Sequence, residues 1–154
     1  MKKILPIILI ASLLINFGLV YFFFIKGDTI QANDGRTAII VSSENRDFVL
    51  AEMRLFLESV QEINQGIIEK DSAMVVSAGK QSGGSATNHA PPGLVKSLPM
   101  AFKTLGFSTH DIFDDIKESA EKEFKPQETR QQLDLLLKNC VACHRNYKLE
   151  TKLN

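Results

Sequence analysis

Cys140, Val141, Ala142, Cys143 and His144 follow one another near the C-terminus, and their types and spacing suit one kind of chemistry. Residues three and four apart share a helix face, so both thiols and the imidazole can meet the same edge of a flat ligand. Thioether bonds to the two vinyl groups of a porphyrin need such a pair of thiols. The adjacent imidazole can then reach the iron as its proximal ligand. Cys-x-x-Cys-His is the attachment pattern of a c-type haem. A thioredoxin-like dithiol needs a strand-helix-strand context, and the surrounding pattern lacks one. A structural zinc site takes four ligands; beyond the cluster only His89 and His110 offer imidazoles, and no other Cys exists. The expected cofactor is one covalent haem c, with Cys140 and Cys143 as thioethers and His144 on the iron. Both cysteines are then consumed, which leaves none for a disulfide.

The helices that must carry this motif are legible in the apolar spacing. Val49, Met53, Phe56, Val60, Ile63 and Ile67 recur at helical intervals and form one seam. They predict a helix over about 44 to 69, with Ser42 or Ser43 as its cap. Asp71 can cap a shorter second helix carrying Met74, Val75 and Ala78, which fades at Gly83-Gly84. Residues 82–93 read as loop. Leu94 to Leu105 holds a helical turn or two, broken at Pro99 and ended at Gly106. Ser108 or Thr109 then caps a third helix, striped by Ile112, Phe113, Ile116, Ala120 and Phe124. Pro126 stops it and suits the first turn of a fourth, on which Leu133, Leu136, Leu137, Cys140, His144 and Tyr147 share a side. No segment alternates long enough to predict a sheet. The expected fold is all-α, an antiparallel four-helix bundle with covalent haem over residues 43–154.

Ahead of it, Met1-Lys2-Lys3 precedes the apolar stretch Ile4 to Ile25, near the ~20 residues needed to span a bilayer. With Tyr21 and Phe22-Phe23-Phe24 at its far end, residues 1–26 read as an N-terminal transmembrane helix or uncleaved signal. Lys2 and Lys3 put its start in the cytoplasm, and 27–42 reads as a tether. The expected location is the inner membrane, single-pass, with the C-terminal domain in the periplasm. Cleavage after Ala32 would instead release a soluble periplasmic protein.

Three of the 18 basic residues (Lys2, Lys3, Lys26) flank that stretch, leaving 15 against 18 acidic ones in the remainder. The zero formal net charge of the whole chain gives no footprint for nucleic acid. No carboxylate pair, nucleophile triad or second metal cluster points to an enzyme.

With its haem motif on the last helix, the chain resembles the cytochrome c′ family, the class II cytochromes c. Their motif continues Cys-x-x-Cys-His-x-x-aromatic-basic, which Cys140, Cys143, His144, Tyr147 and Lys148 match. The resemblance covers about 44 to 150 and is most specific in the last helix. It implies a sixth iron ligand from the first helix, where Met53 lies. Family members with Met there are electron carriers; those with an apolar residue are five-coordinate and bind NO or CO. The family commonly has Arg one turn before that ligand, facing a haem propionate. Here that position is Val49, and Arg46 stands in. Met74, Met100, His89 and His110 are the other possible ligands, with Phe102, Phe107 and Phe113 as candidate pocket walls. The expected partners are redox proteins of the membrane or periplasm, the membrane itself through the N-terminal helix, and a second copy in a possible homodimer. The expected function is electron transfer through one haem held by His144 and Met53; the alternative is a five-coordinate protein binding NO or CO.

Overall fold

The computed structural model describes residues 4–151, and helices dominate it. Helix α1 (Ile4–Val20) is followed by a wider π-helical turn, Tyr21–Ile25. Two short strands come next, β1 (Thr29–Gln31) and β2 (Thr37–Val41). Then come α2 (Ser43–Glu69), α3 (Ser72–Ser82), a 3-10 segment over Gly84–His89, α4 (Leu94–Ser97), α5 (Met100–Glu123), α6 (Pro126–Asn146) and β3 (Tyr147–Thr151).

The helix starts follow local chemistry. The Ser42 hydroxyl accepts from the Asn45 N–H at 3.2 Å and the Asp71 carboxylate accepts from the Met74 N–H at 3.0 Å. Each satisfies a backbone donor that the first turn leaves without a partner. Pro126 opens α6, where its missing N–H costs nothing.

α3 packs between α2 and α5, and α6 lies against α2 and α5. Their shared core contains Ile63, Val75, Phe113, Ile116 and Leu136, all fully buried. Gly79 permits the α3–α5 approach, because a Cβ there would sit 2.8 Å from the Phe113 carbonyl oxygen. A second apolar cluster lies under the strands: Ile39, Val41, Val49, Leu94, Leu98 and Phe102. The seam of α2 serves both, with Ile63 and Ile67 in the first cluster and Val49 in the second.

Several expectations need correction. The strands form one sheet in the order β1-β2-β3, antiparallel then parallel, where none was expected. β2 hides from a period-two search because Ala38, Ile39 and Val41 are all buried, so it reads as a continuous apolar run. Its partner β3 is far away in sequence and pairs from Thr37 with Tyr147 to Val41 with Thr151. The stretch 27–42 is accordingly a docked hairpin and not a free tether. Gly106 does not end a helix. It lies inside α5, so Ser108 and Thr109 are interior residues, and the Thr109 hydroxyl donates to the Leu105 carbonyl at 2.8 Å. Residues 84–89 are helical where loop was expected.

The expected membrane anchor is overturned as well. Among the described residues, no helix is long and apolar enough to cross a membrane. The apolar stretch divides at Val20, and α1 has 17 residues. Among the described residues, no single-pass anchor in the inner membrane, with the rest in the periplasm, is therefore indicated. Lys2 and Lys3, read as its cytoplasmic flank, lie outside the described residues.

Candidate functional site

Between the two apolar clusters lies a cavity of about 330 Å³, within the usual size range of small-molecule sites. Cys140, Cys143, His144 and Met53 all line it. Cys140 packs against the core of the long helices, whereas Cys143 packs with Met53 against the cluster under the sheet. One thiol thus meets each side of the gap. This follows from the helix: three residues advance the chain by most of a turn, enough to move from one neighbour to the next while facing the same space. His144 is exposed at the rim.

α2 supplies Phe48, Val49, Glu52, Met53 and Phe56 to the walls. α5 supplies Phe102, Lys103, Gly106, Phe107 and His110. Each set keeps helical spacing. Leu94 and Leu98 close another side. The α5 set runs through Gly106, so reading that glycine as a helix end split one face into two. Glu52, Phe48 and Lys103 were missed for related reasons. Widening the α2 seam by the residue before Val49 and the residue before Met53, and extending α5 back to Met100, would have found them.

Burial sets the chemistry of the thiols. Desolvation raises the Cys140 thiol above its ordinary value. It pushes Cys143 up to about 11, with the neighbouring Cys140 adding to the shift. Redox-active dithiols work through a lowered pKa, so this pair is poorly suited to thiol-disulfide exchange. Among the described residues, no group of three or more His, Cys, Asp and Glu side chains is placed to hold a bare metal ion.

A smaller pocket of about 170 Å³ shares Met53, Phe102, Cys143 and His144 with the cavity and continues it toward the sheet. Its lining turns basic, with Arg36 from the hairpin, Arg46 from α2 and Lys148 from β3. Arg36 holds Asp34 at 2.8 Å, and these hydrogen bonds lower that carboxyl to about 2. Lys148 pairs with Glu150 at 2.7 Å, which raises its ammonium pKa. Among the described residues, Arg46 has only a long ion-pair contact, 3.9 Å to Asp47. Tyr147 also lines this pocket and stands edge-on to Phe102 at 5.5 Å. It was expected on the last helix, but α6 ends at Asn146 and Tyr147 begins β3. Leu137, expected on the inward side of that helix, is exposed.

The remaining candidates separate. Phe102 and Phe107 are walls, while Phe113 sits in the helical core. Met100 is exposed, as is His89; neither lines the cavity. Met74 is half-buried on α3, outside the cavity lining. His110 is buried and lines the cavity. Arg36 was not anticipated, because its relevance depends on the hairpin folding back.

The residues fit a covalently held porphyrin in three respects. The walls are apolar, two thiols and an imidazole border the space, and cations gather where acidic substituents could be paired. Comparison with known protein families, curated proteins and solved structures found no match to this chain.

Proposed function

We propose that the chain is a c-type cytochrome, a non-catalytic electron carrier with one covalent haem c, built on a four-helix scaffold of α2, α3, α5 and α6. The observation that carries this reading is the convergence of Cys140, Cys143, His144 and Met53 on one apolar cavity. The haem iron supplies one-electron ferric-ferrous chemistry when bound. Cys140 and Cys143 would hold the group through thioether bonds, and His144 would bind its iron. Met53 would offer its thioether to the iron, which would favour a higher potential. Arg46 would face a propionate in the smaller pocket, and Lys148 and Arg36, which already hold Glu150 and Asp34, would add positive charge beside it. Phe56, Phe102 and Phe107 exclude water from the buried part. The resemblance to class II cytochromes c at Cys140, Cys143, His144, Tyr147 and Lys148 points the same way.

The partners are other redox proteins, which meet His144 at the exposed rim. A second copy is a further partner. Leu57 and Ile68 are both exposed on α2, about three turns apart and so on one outward face.

Expression with haem-attachment machinery, followed by a ferrous absorption spectrum with and without CO, tests the reading. Covalent haem with sharp, split α and β bands unmoved by CO is the expected result. A broad high-spin band that shifts fully on CO would remove Met53 as a firm ligand and favour a five-coordinate protein that binds NO or CO. No covalent haem would refute the assignment.

A further inference from the structure

His110 stands out because its imidazole is buried in a cavity wall, with each ring nitrogen in a different environment. Its Nδ1 lies 2.8 Å from the Ser82 carbonyl oxygen. A carbonyl can only accept, so Nδ1 carries a proton. In the neutral ring the lone pair is then on Nε2. Nε2 lies 3.8 Å from Glu52 Oε1, an ion-pair contact when the ring is protonated and too long for a hydrogen bond. Phe56 meets the ring edge-on at 5.0 Å and limits its rotation. Three chain segments therefore hold this side chain: Ser82 at the end of α3, Phe56 and Glu52 on α2, and α5 itself. Only 5% of His110 is exposed.

Imidazoles that ligate metals commonly donate their other N–H to a carbonyl or carboxylate, which sets the tautomer and ring orientation. His110 has that arrangement, and it lines the same cavity as Met53 and His144.

We propose that His110 is a reserve axial ligand, whose Nε2 takes the iron's sixth position when the Met53 thioether is absent or displaced. The inference rests on the haem reading above. It adds to that reading a cavity in which two different ligands from two helices can serve the same position.

The test compares full-length wild-type, Met53→Ala and Met53→Ala/His110→Asn proteins, each carrying covalent haem. Asn puts an amide N–H where Nδ1 stands, able to donate to the Ser82 carbonyl, which protects the fold. In Met53→Ala the expected spectrum remains low-spin, and CO binding is slow or lost. In the double variant the spectrum becomes high-spin and CO saturates it. A high-spin, freely CO-binding Met53→Ala protein overturns the inference while leaving the haem reading intact. So does a double variant that stays low-spin, since another group would then be the ligand. Wild-type protein without covalent haem overturns the haem reading and the inference together.

Discussion

Replacing Ile39 with Ala tests whether the small sheet belongs to the body that holds the cavity. Ile39 is central in β2 and completely buried, in a cluster against which Met53, Cys143 and Tyr147 pack. The change removes three carbons from a site closed by Val49, Leu98 and Phe102. Ile-to-Ala truncations in packed cores cost about 2–5 kcal/mol, and the residual cavity sets where in that range a site falls. A value of about 3 kcal/mol suits a cluster at the edge of the fold, where strands can relax inward more than long helices can. For a chain of this size each kcal/mol lowers Tm by about 2–4 °C, so the expected fall is about 6–12 °C. The control is Ile30→Ala on β1, where the side chain is 54% exposed; a change within about 0.5 kcal/mol is expected there. Thermal unfolding followed at 222 nm, with urea midpoints as a second measure, reads both variants. If Ile39→Ala were as mild as Ile30→Ala, the hairpin would be an appendage and the reasoning about its role at the cavity would fail.

Four other outcomes follow from particular contacts. Gly66→Ala should destabilise by about 1–3 kcal/mol despite the better helix propensity of Ala, because the new Cβ would lie 2.7 Å from Val75 Cγ2 and 3.0 Å from the Asp71 carbonyl; a stabilised variant in urea melts would contradict that packing. With Cys143 raised from 9.0 to about 11, its thiolate is about 100-fold scarcer at pH 8, and the greater nucleophilicity of a more basic thiolate recovers part of this. Iodoacetamide should therefore modify Cys143 in haem-free folded protein about tenfold more slowly than in urea, and equal rates by mass spectrometry would refute the burial argument. Glu52 has its pKa raised chiefly by desolvation, with His110 opposing. Its folded form keeps the proton longer than its unfolded form, so its contribution is fully present below 4.5 and is lost as pH rises through the raised value. Glu52→Gln should accordingly gain stability over wild type between pH 4 and pH 7 in urea titrations, and a pH-independent difference would count against the shift. Finally, haem-attached protein should lose covalent haem in a Cys140→Ser/Cys143→Ser variant, read as loss of peroxidase staining on a denaturing gel, with lower helicity by far-UV circular dichroism; full helicity would mean that the cavity closes well without a guest.

Helical elements whose limits depend on neighbouring residues were legible in the chain. The start of α2, the Asp71 cap and the Pro126 start all rest on contacts within a few positions. The motif itself belongs to this class, since Cys140, Cys143 and His144 share one helix and need no distant residue to face the same space. The sheet was not legible, because β2 pairs in parallel with a strand at the opposite end of the chain. The α5 helix was read as interrupted because an isolated glycine is a weak local stop, and packing of Phe102, Phe113 and Ile116 outweighs its cost of about 1 kcal/mol. The apolar N-terminal stretch had about the right count of residues for a span, but count alone does not specify one uninterrupted α-helix.

By itself the sequence determined that two thiols and an imidazole lie together on one face of the last helix, because those relations are covalent and helical. Only the tertiary structure decided what else meets them. It brought Met53 beside Cys143, placed Arg36 and Lys148 at the basic end, and turned the two nitrogens of His110 to different partners. Each of those juxtapositions depends on how separate segments pack, and packing is a property of shape and burial summed over the whole chain.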